Sequence, residues 1–420
     1  MYKMVVLSKE LVKKFGGWRP TLRNIRRSVP IQTNSWFNIT EHQWNVANQT
    51  ESKIDSSGMK AKMCMVMPTL SQRGKLLTWF ELYRLTYNYT VRYFKHNKVC
   101  SFTKIRPIIT NQLYDNDSIY AKIKQSQFPK HTLDNAIKDV VKAYKTSFAL
   151  LKKKQISHFR LRYKRQQSPR QTLVLESGAF SKIKNAFCTR ALGVMQTSHP
   201  LNGISHDCRL VYNTRSGAIS LHIPYEYQNQ KELSRWNTCS LDPGMRTFQT
   251  VYSDNGAWYS IGDDNPDIKT LISRVEAVAD HKDKQWYRKY TSRLREKIRN
   301  KIKDLHCKTA HFLCTNFNKV IIGKLSTKGI VENGRSVLRD ASKRYVYALA
   351  HHTFRERLKA KCAELDCEYV EVNEAYTSKT CGKCGEVNHD LGASKTFNCV
   401  HCKYTTDRDV NGARNIMIKC

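Results

Sequence analysis

The sequence predicts an α/β domain with an inserted four-cysteine ribbon over residues 237–420, preceded by a mixed α+β half. Three observations support this fold class. Strand and helix patterns alternate along the C-terminal part, and two CxxC pairs interrupt its last strand-to-helix connection. The chain also contains 72 Lys and Arg residues but only 35 Asp and Glu residues. A formal net charge of +37 over 420 residues is typical of chains that bind nucleic acid.

The C-terminal part carries its strand and helix signals in a definite order. Three strands are separated by tight turns, one of them at Asp254-Asn-Gly256, and are followed by helix, strand, helix and strand. The predicted segments are Asn237–Asp242, Thr247–Ser253, Ala257–Ile261, helix Ile268–Phe317, Lys319–Ile322, helix Lys343–Leu365, Glu368–Val372 and a short C-terminal helix. This order is typical of an RNase H-like α/β fold.

The N-terminal part is less regular. Residues 1–60 predict an irregular extension, in which the basic stretch Lys13–Arg27 either contacts nucleic acid or is a solvated tail. Residues 61–236 predict a mixed α+β region. Its segments are the strand Lys62–Pro68, the helices Leu76–His96 and Thr132–Lys153, and short strands such as Thr172–Glu176 and Gly217–Ile223.

Aromatic residues recur at helical spacing within Leu76–His96. They are Trp79, Phe80, Tyr83, Tyr87 and Tyr93. Such residues form either a hydrophobic core or a platform for stacked bases, and the core is favoured.

Two cysteine pairs, Cys381/Cys384 and Cys399/Cys402, are separated by 14 residues. Pairs at this spacing hold one tetrahedral Zn²⁺ through four thiolates, with His389 and His401 as possible substitute ligands. Four cysteines leave no open coordination position, so the zinc is expected to be structural. The ten other cysteines are expected to be mostly small buried hydrophobes.

Acidic residues are few, which makes their positions informative. Asp242 ends the first strand of the meander before Pro243-Gly244, and Asp407 and Asp409 precede the last helix. Taken singly, Asp242 could serve only its turn and Asp409 could merely cap the helix. Taken together, they suggest phosphodiester cleavage with two Mg²⁺ ions held by carboxylates at one sheet edge.

Three blocks in the C-terminal part of the chain resemble those of a known family. The blocks Asp242-Pro-Gly-Met-Arg246, Tyr376-Thr-Ser-Lys-Thr-Cys-Gly-Lys-Cys-Gly385 and Asp407-Arg-Asp-Val-Asn-Gly-Ala-Arg-Asn-Ile416 resemble the RuvC and zinc-ribbon blocks of TnpB proteins and, more closely, of the Fanzor proteins. The resemblance is strong over residues 237–418 and weaker over 61–170. It implies an RNA-guided DNA endonuclease, with a guide RNA encoded at the end of a mobile element and target DNA beside a short adjacent motif.

One departure concerns the third acid. TnpB proteins carry a catalytic Glu on the fourth strand, where this chain has Ile322-Gly-Lys-Leu325. The Fanzor branch is similar to this sequence in carrying its Glu just before the Thr-Ser-Lys-Thr-Cys block, and the matching residue is Glu374. Glu371 is the rival. The resemblance therefore implies that Asp242, Glu374 and Asp409 bind two Mg²⁺ ions and form the catalytic set.

The resemblance also implies a division of the chain. Residues 1–60 would be an N-terminal extension, 61–236 a wedge and recognition region for guide RNA and target DNA, and 237–420 a RuvC-like nuclease domain with the ribbon at 381–402. Two other functions stay open: a catalytically inactive guided DNA-binding protein, suggested by the missing acid at Gly323, and an RNase H-like transposase. No signal peptide or membrane span is found, so we expect an intracellular protein. We also expect a monomer, located in the nucleus if the host is a eukaryote.

Overall fold

The computed structural model describes residues 21–22, 39–42, 50–97, 101–181, 183, 185–263, 265–325, 340–392 and 394–420. Its strands are β1 Thr21–Leu22, β2 Ile39–His42, β3 Thr50–Met67, β4 Arg170–Leu175, β5 Gln196–Thr197, β6 Cys208–Asn213, β7 Ile219–Pro243, β8 Gln249–Ser253, β9 Trp258–Ile261, β10 Phe317–Gly323, β11 Glu368–Val372, β12 Thr396–Asn398 and β13 Thr405–Asp407. Its α-helices are α1 Leu70–His96, α2 Phe102–Tyr114, α3 Asp117–Ser126, α4 Lys130–Lys152, α5 Thr189–Leu192, α6 Pro266–Glu276, α7 Gln285–Asn316, α8 Asp340–Leu349, α9 His351–Glu364 and α10 Arg408–Ile418.

The chain forms two compact units. The first unit comprises Met1–Ser57 and Gln228–Cys420, and the second unit comprises Gly58–Tyr227. Strands β3 and β7 each have residues in both units. Among the described residues, no helix has the length and apolar character needed to cross a membrane.

The second unit packs four helices, α1 to α4, against the strands β4 and β6. Its core contains Trp79, Phe80 and Tyr83, all nearly without solvent exposure, as the core interpretation of these aromatics predicts. Helix α1 begins at Leu70 rather than Leu76, because Thr69 and Gln72 form a reciprocal capping box at its start. Helices α2 and α3 and strand β6 are further elements of this unit, beyond those predicted from the sequence.

The first unit is built on a mixed sheet with the strand order β2-β9-β8-β7-β10-β11. Strands β7, β8 and β9 form an antiparallel meander, and β10 and β11 then add in parallel to β7. Helices lie between these strands in the chain, so the predicted element order is observed as a mixed α/β unit. The fully buried rings of Phe248, Phe317 and Phe354 contribute to its core.

Three predicted elements differ from the structure. The predicted strand Asn237–Asp242 is the end of the much longer β7. The single helix predicted over Ile268–Phe317 is two helices, α6 and α7, separated by a short 3₁₀ turn at Ala279–His281. The single helix predicted over Lys343–Leu365 is α8 and α9, broken at Ala350, whose φ of 50° lies outside the helical region.

The expectation of an irregular extension over residues 1–60 is wrong for the part that is described. Strands β1 and β2 pair in parallel, and β2 adds to the sheet beside β9, with Ile39 opposite Ile261. The beginning of β3 also falls within this range. Most of the basic stretch Lys13–Arg27 lies outside the described residues.

Candidate active site and metal centre

Strands β7, β10 and β11 run parallel, so their carboxyl ends meet at one edge of the sheet. Ile322 of β10 is paired with Leu241 of β7, and the next residue, Gly323, is paired with Val372 of β11. Asp242 follows Leu241 directly, and Glu374 comes two residues after Val372. The register therefore brings both acids to the edge at which β10 carries only a glycine.

Gly323 makes room for the carboxylate of Glu374. A Cβ placed on Gly323 would lie 3.0 Å from Glu374 Oε2, and also 3.0 Å from the side chain of Ile416. The loop-borne acid thus occupies the space beside the strand where a side chain of residue 323 would begin. The position that lacks an acid in the sequence is therefore next to an acid in the structure.

Helix α10 brings Asp409 to the same edge. The hydroxyl of Ser240 on β7 donates a hydrogen bond of 2.6 Å to the carbonyl of Ala413, which fastens the helix to the strand. Gly412 permits this close packing, because a Cβ there would lie only 2.4 Å from Asp242 Oδ2. The structure thus brings Asp242, Glu374 and Asp409 together.

Burial and neighbouring acids shift the pKa values of the three carboxyls. Burial raises the pKa of Asp242 well above its usual range, and the carboxylates of Asp409 and Glu374 raise it further. Burial likewise raises the pKa of Glu374 and of Asp409, and Asp407 raises that of Asp409 further. A buried carboxyl whose ionised form is disfavoured by neighbouring carboxylates, as that of Asp242 is, is typical of a site that accepts cations.

The buried Oε2 atom of Glu374 has no hydrogen-bond partner among the described residues. A buried carboxylate oxygen without a donor is costly, and a bound cation satisfies it. Carboxylate oxygens are the ligands that Mg²⁺ prefers, so the three acids could contribute to a magnesium site. Glu371 differs: its side chain is exposed and its Oε1 accepts a 2.6 Å hydrogen bond from the Tyr369 hydroxyl.

The cap of α10 is Asp407 rather than Asp409. The Asp407 side chain accepts hydrogen bonds from the backbone N–H groups of Asp409 and Val410. The alternative in which Asp409 merely caps the helix is therefore wrong, and its carboxylate is left for the cluster.

Two asparagines of α10 position the loop after Glu374, a role that was not predicted from the sequence. Asn415 donates to the carbonyls of Thr377 and Thr380, and Asn411 also donates to Thr380. Both side chains are buried and fasten the loop that follows Glu374. Their spacing of four residues on one helix face was the available signal.

The four predicted zinc ligands converge. The sulfur atoms of Cys381, Cys384, Cys399 and Cys402 all lie within 4.8 Å of one another. The Cys381–Cys402 and Cys384–Cys399 sulfurs are each 3.6 Å apart. Backbone N–H groups of Lys383 and Cys402 donate to sulfurs of the set, which favours thiolates. These cysteines could hold a zinc ion.

Replacing Cys384 with serine is expected to remove one zinc ion per chain and to lower the melting temperature. The ribbon is attached to α10 through the N–H of Gly382, which donates to Asn411 Oδ1 at 3.0 Å, so loss of the ion should also loosen the contact between the ribbon and α10. Zinc content by mass spectrometry and a thermal melt check this. The matched control is Cys420→Ser, at an exposed cysteine outside the set; an equal loss of zinc in both variants would contradict the assignment.

The crowded acids also predict a pH dependence in magnesium-free protein. Because the pKa of Asp242 is raised by folding, the folded state binds its proton more tightly than the unfolded state does. Ionised Asp242 therefore destabilises the folded state by its full amount at pH values above the raised pKa. This destabilisation decreases as the pH falls toward the ordinary pKa of 3.8.

Asp242→Asn should accordingly raise the melting temperature at pH 8 in magnesium-free buffer, and the difference from wild type should shrink toward pH 4. A thermal melt of both proteins across this range measures it. An Asp242→Asn variant that melts below wild type at pH 8 would contradict the crowding of charges.

The second unit carries a strongly basic cleft of about 1400 Å³. None of the described residues that line it is acidic. Seven are cationic: Arg84, Lys95, Arg160, Arg162, Lys164, Arg165 and Arg170. The lining also holds aromatic rings, among them Tyr163, which is 44% exposed with Lys95 Nζ 4.1 Å from its centre.

Comparisons with known proteins find local and full-length similarity. The family model described as Cas12f1-like, TNB domain matches residues 351–416, a range that includes Glu374, the ribbon and most of α10. This part of the chain is therefore similar to that class of domain. The CRISPR-associated endodeoxyribonuclease Cas12f1 of Sulfoacidibacillus thermotolerans is 24% identical over 29% of this chain and 29% of its own.

Longer matches identify the family. TnpB-like protein R854 of Acanthamoeba polyphaga mimivirus is 31% identical over 95% of this chain and 84% of its own, and TnpB-like protein L79 of the same virus is 28% identical over 96% and 86%. The chain belongs to the TnpB-like family, as the resemblance predicts. A cryo-EM structure of a Cas12f1–sgRNA–target DNA complex aligns with 85% of this chain and 98% of that chain, at 14% identity and a TM-score of 0.33.

Proposed function

We propose that the protein is an RNA-guided DNA endonuclease that cleaves target DNA next to a short adjacent motif through a RuvC-type site. The observation that carries the proposal is the convergence of Asp242, Glu374 and Asp409 at one sheet edge, with a buried Glu374 oxygen that lacks a donor. Membership of the TnpB-like family supports it, as does the local similarity to a protein named as an endodeoxyribonuclease.

The three carboxylates would hold two Mg²⁺ ions. When bound, such a pair stabilises the attacking and leaving oxygens of a phosphodiester. The chain supplies the surroundings. Burial raises the pKa of Glu374, and Arg355, largely buried on α9, offsets part of that rise and so favours the ionised form. The cationic Arg408, Arg246 and Lys395 act on Asp409 in the same sense and add positive charge where a phosphate would approach.

The ribbon would hold one structural Zn²⁺, and its attachment to α10 would keep Asp409 and the Glu374 loop in register. In this proposal residues 237–420 are the RuvC-like nuclease domain and residues 61–236 the wedge and recognition region. The monomeric state, the nuclear location and the origin of the guide stay predictions.

The basic cleft of the second unit would bind the guide RNA backbone. The double substitution Arg160→Ala/Arg162→Ala is expected to weaken RNA binding and to make the slope of log affinity against log salt shallower by about 1 to 1.5, because two phosphate contacts are lost. Filter binding across a salt series measures this. Lys122→Ala, which breaks an ion pair with Glu81 in the same unit, is the control and should leave the slope unchanged.

The function is tested by incubating target plasmid with the protein and its co-purified RNA in Mg²⁺. Wild type should cut, and Asp242→Ala should not. Equal cutting by both would refute the proposal. Sequencing of the co-purified RNA would identify the guide.

Two alternative functions give different results in the same assay. A catalytically inactive guided DNA-binding protein would bind target DNA without cutting it; the presence of an acid beside Gly323 speaks against this alternative. An RNase H-like transposase would keep its activity after complete removal of RNA with ribonuclease.

A further inference from the structure

A second cluster of cysteines lies in the core of the first unit, apart from the ribbon. Cys314 lies near the end of α7, Cys362 lies on α9, and Cys367 precedes β11. Their three sulfur atoms lie within 4.8 Å of one another, and all three residues are buried. We infer that Cys314, Cys362 and Cys367 form a second metal site, which takes one thiophilic divalent ion such as Zn²⁺.

The spacing of the sulfurs matches that of a thiolate metal site. The Cys314 and Cys362 sulfurs are 3.4 Å apart, close to the 3.6 Å that separates sulfur pairs in the ribbon. Tetrahedral zinc with bonds of about 2.3 Å places its sulfurs roughly 3.8 Å apart. A disulfide would require about 2.05 Å, so the cluster is a set of reduced thiols.

A buried positive charge beside the cluster balances the charge of the proposed site. Three thiolates and one divalent ion leave one negative charge, which a dry core does not accept alone. Arg235 has no exposed surface, and its guanidinium donates to the carbonyls of Leu365 and Asp366, immediately before Cys367. One guanidinium, three thiolates and one Zn²⁺ sum to zero.

Two other buried cysteines share with Cys367 a thiol contact to a backbone carbonyl but lie in no such set. Cys64 and Cys208 are fully buried in the second unit, and their thiols approach the backbone carbonyls of His199 and His206. They are not part of any set of three or more potential ligands among the described residues. Small hydrophobic packing therefore accounts for these two and does not account for three sulfurs turned toward one another.

A metal here would tie together three elements that frame the sheet. It would join α7, α9 and the start of β11, the strand that leads to Glu374. The three thiolates would supply three ligands, and the Phe317 carbonyl oxygen, 3.4 Å from Cys367 Sγ, could supply the fourth. Because all three cysteines are buried in the core, the ion would stabilise the fold rather than take part in cleavage.

The test is the metal content of the full chain, expressed in zinc-supplemented medium and purified with its RNA. We expect two zinc ions per chain in wild type, one in Cys362→Ala, and two in the matched control Cys208→Ala. One ion per chain in wild type, or the same content in wild type and Cys362→Ala, would overturn the inference.

A second measurement does not depend on any variant folding. Expression in cobalt-supplemented medium replaces both ions with Co²⁺, whose thiolate charge-transfer band reports how many sulfurs are bound. We expect the intensity of seven thiolates, four from the ribbon and three from the cluster. The intensity of four thiolates would overturn the inference even if Cys362→Ala were insoluble.

Discussion

Glu374→Gln is expected to lower the rate of DNA cleavage by about 10³-fold while leaving RNA and target binding intact. Glutamine keeps the size of the side chain but removes the negative charge that would hold a metal ion at the edge of the sheet. Glu374 Oε2 is buried and lies against the backbone of Gly323, so a nearby carboxylate could not easily move into its place. Cleavage of end-labelled target DNA at saturating Mg²⁺ measures the rate.

The matched control is Glu371→Gln. Glu371 is three residues earlier, exposed, and hydrogen-bonded to the Tyr369 hydroxyl, so its loss should change the rate by less than about twofold. The melting temperature adds a second readout, because removing one of three crowded acids should not destabilise magnesium-free protein. Equal losses in both variants, or full activity in Glu374→Gln, would reject Glu374 as a metal ligand.

Gly412→Ala is the second substitution with a large expected effect. In the interior of a helix, alanine is normally more favourable than glycine by about 1 kcal/mol. Here the new Cβ would stand 2.4 Å from Asp242 Oδ2 and 3.3 Å from Ser378 Oγ. Either the Asp242 carboxylate turns away or α10 shifts, and both displace an acid from the cluster. We expect cleavage to fall by at least about 10²-fold with the chain still folded.

Gly74→Ala provides the comparison, since Gly74 also lies within a helix but a Cβ there would meet nothing within 4 Å. That variant should cut at the wild-type rate and melt at the same or a higher temperature. Cleavage assays and circular dichroism on both variants decide the matter. Wild-type cleavage by Gly412→Ala would show that the close approach of α10 to Asp242 is not required.

The elements that the sequence predicts well are those with a strong local signal. Strand Glu368–Val372 has the predicted bounds, and the cysteine pairs converge as their spacing requires. The break at Ala350 could not be predicted, because alanine favours helices and rarely adopts the left-handed conformation that it has here. Apolar residues at helical spacing indicate helix α7. The 3₁₀ turn at Ala279–His281 before it has no glycine or proline that would mark a break, so the sequence predicts one continuous helix.

The candidate site was predictable to a different degree for each acid. Asp242 and Asp409 stand in recognisable blocks, but only the structure shows that Asp407 takes the cap and leaves the Asp409 carboxylate for the cluster. Glu374 was inferred from a resemblance. Its carboxylate lies in the space that Gly323 leaves beside β10. This proximity joins residues far apart in the sequence, and no local pattern encodes it. The same holds for Asn411 and Asn415, whose hydrogen-bond partners Gly382, Thr380 and Thr377 are distant in sequence.

Gly323 leaves room beside β10 for the carboxylate of Glu374. Any side chain at residue 323 would begin 3.0 Å from Glu374 Oε2 and from the side chain of Ile416, so an acid on β10 would crowd the loop-borne acid in its present position. A side chain introduced at residue 323 would therefore have to displace Glu374 Oε2 or Ile416. The glycine that stands in place of the missing acid is thus the residue that leaves room for an acid from the loop.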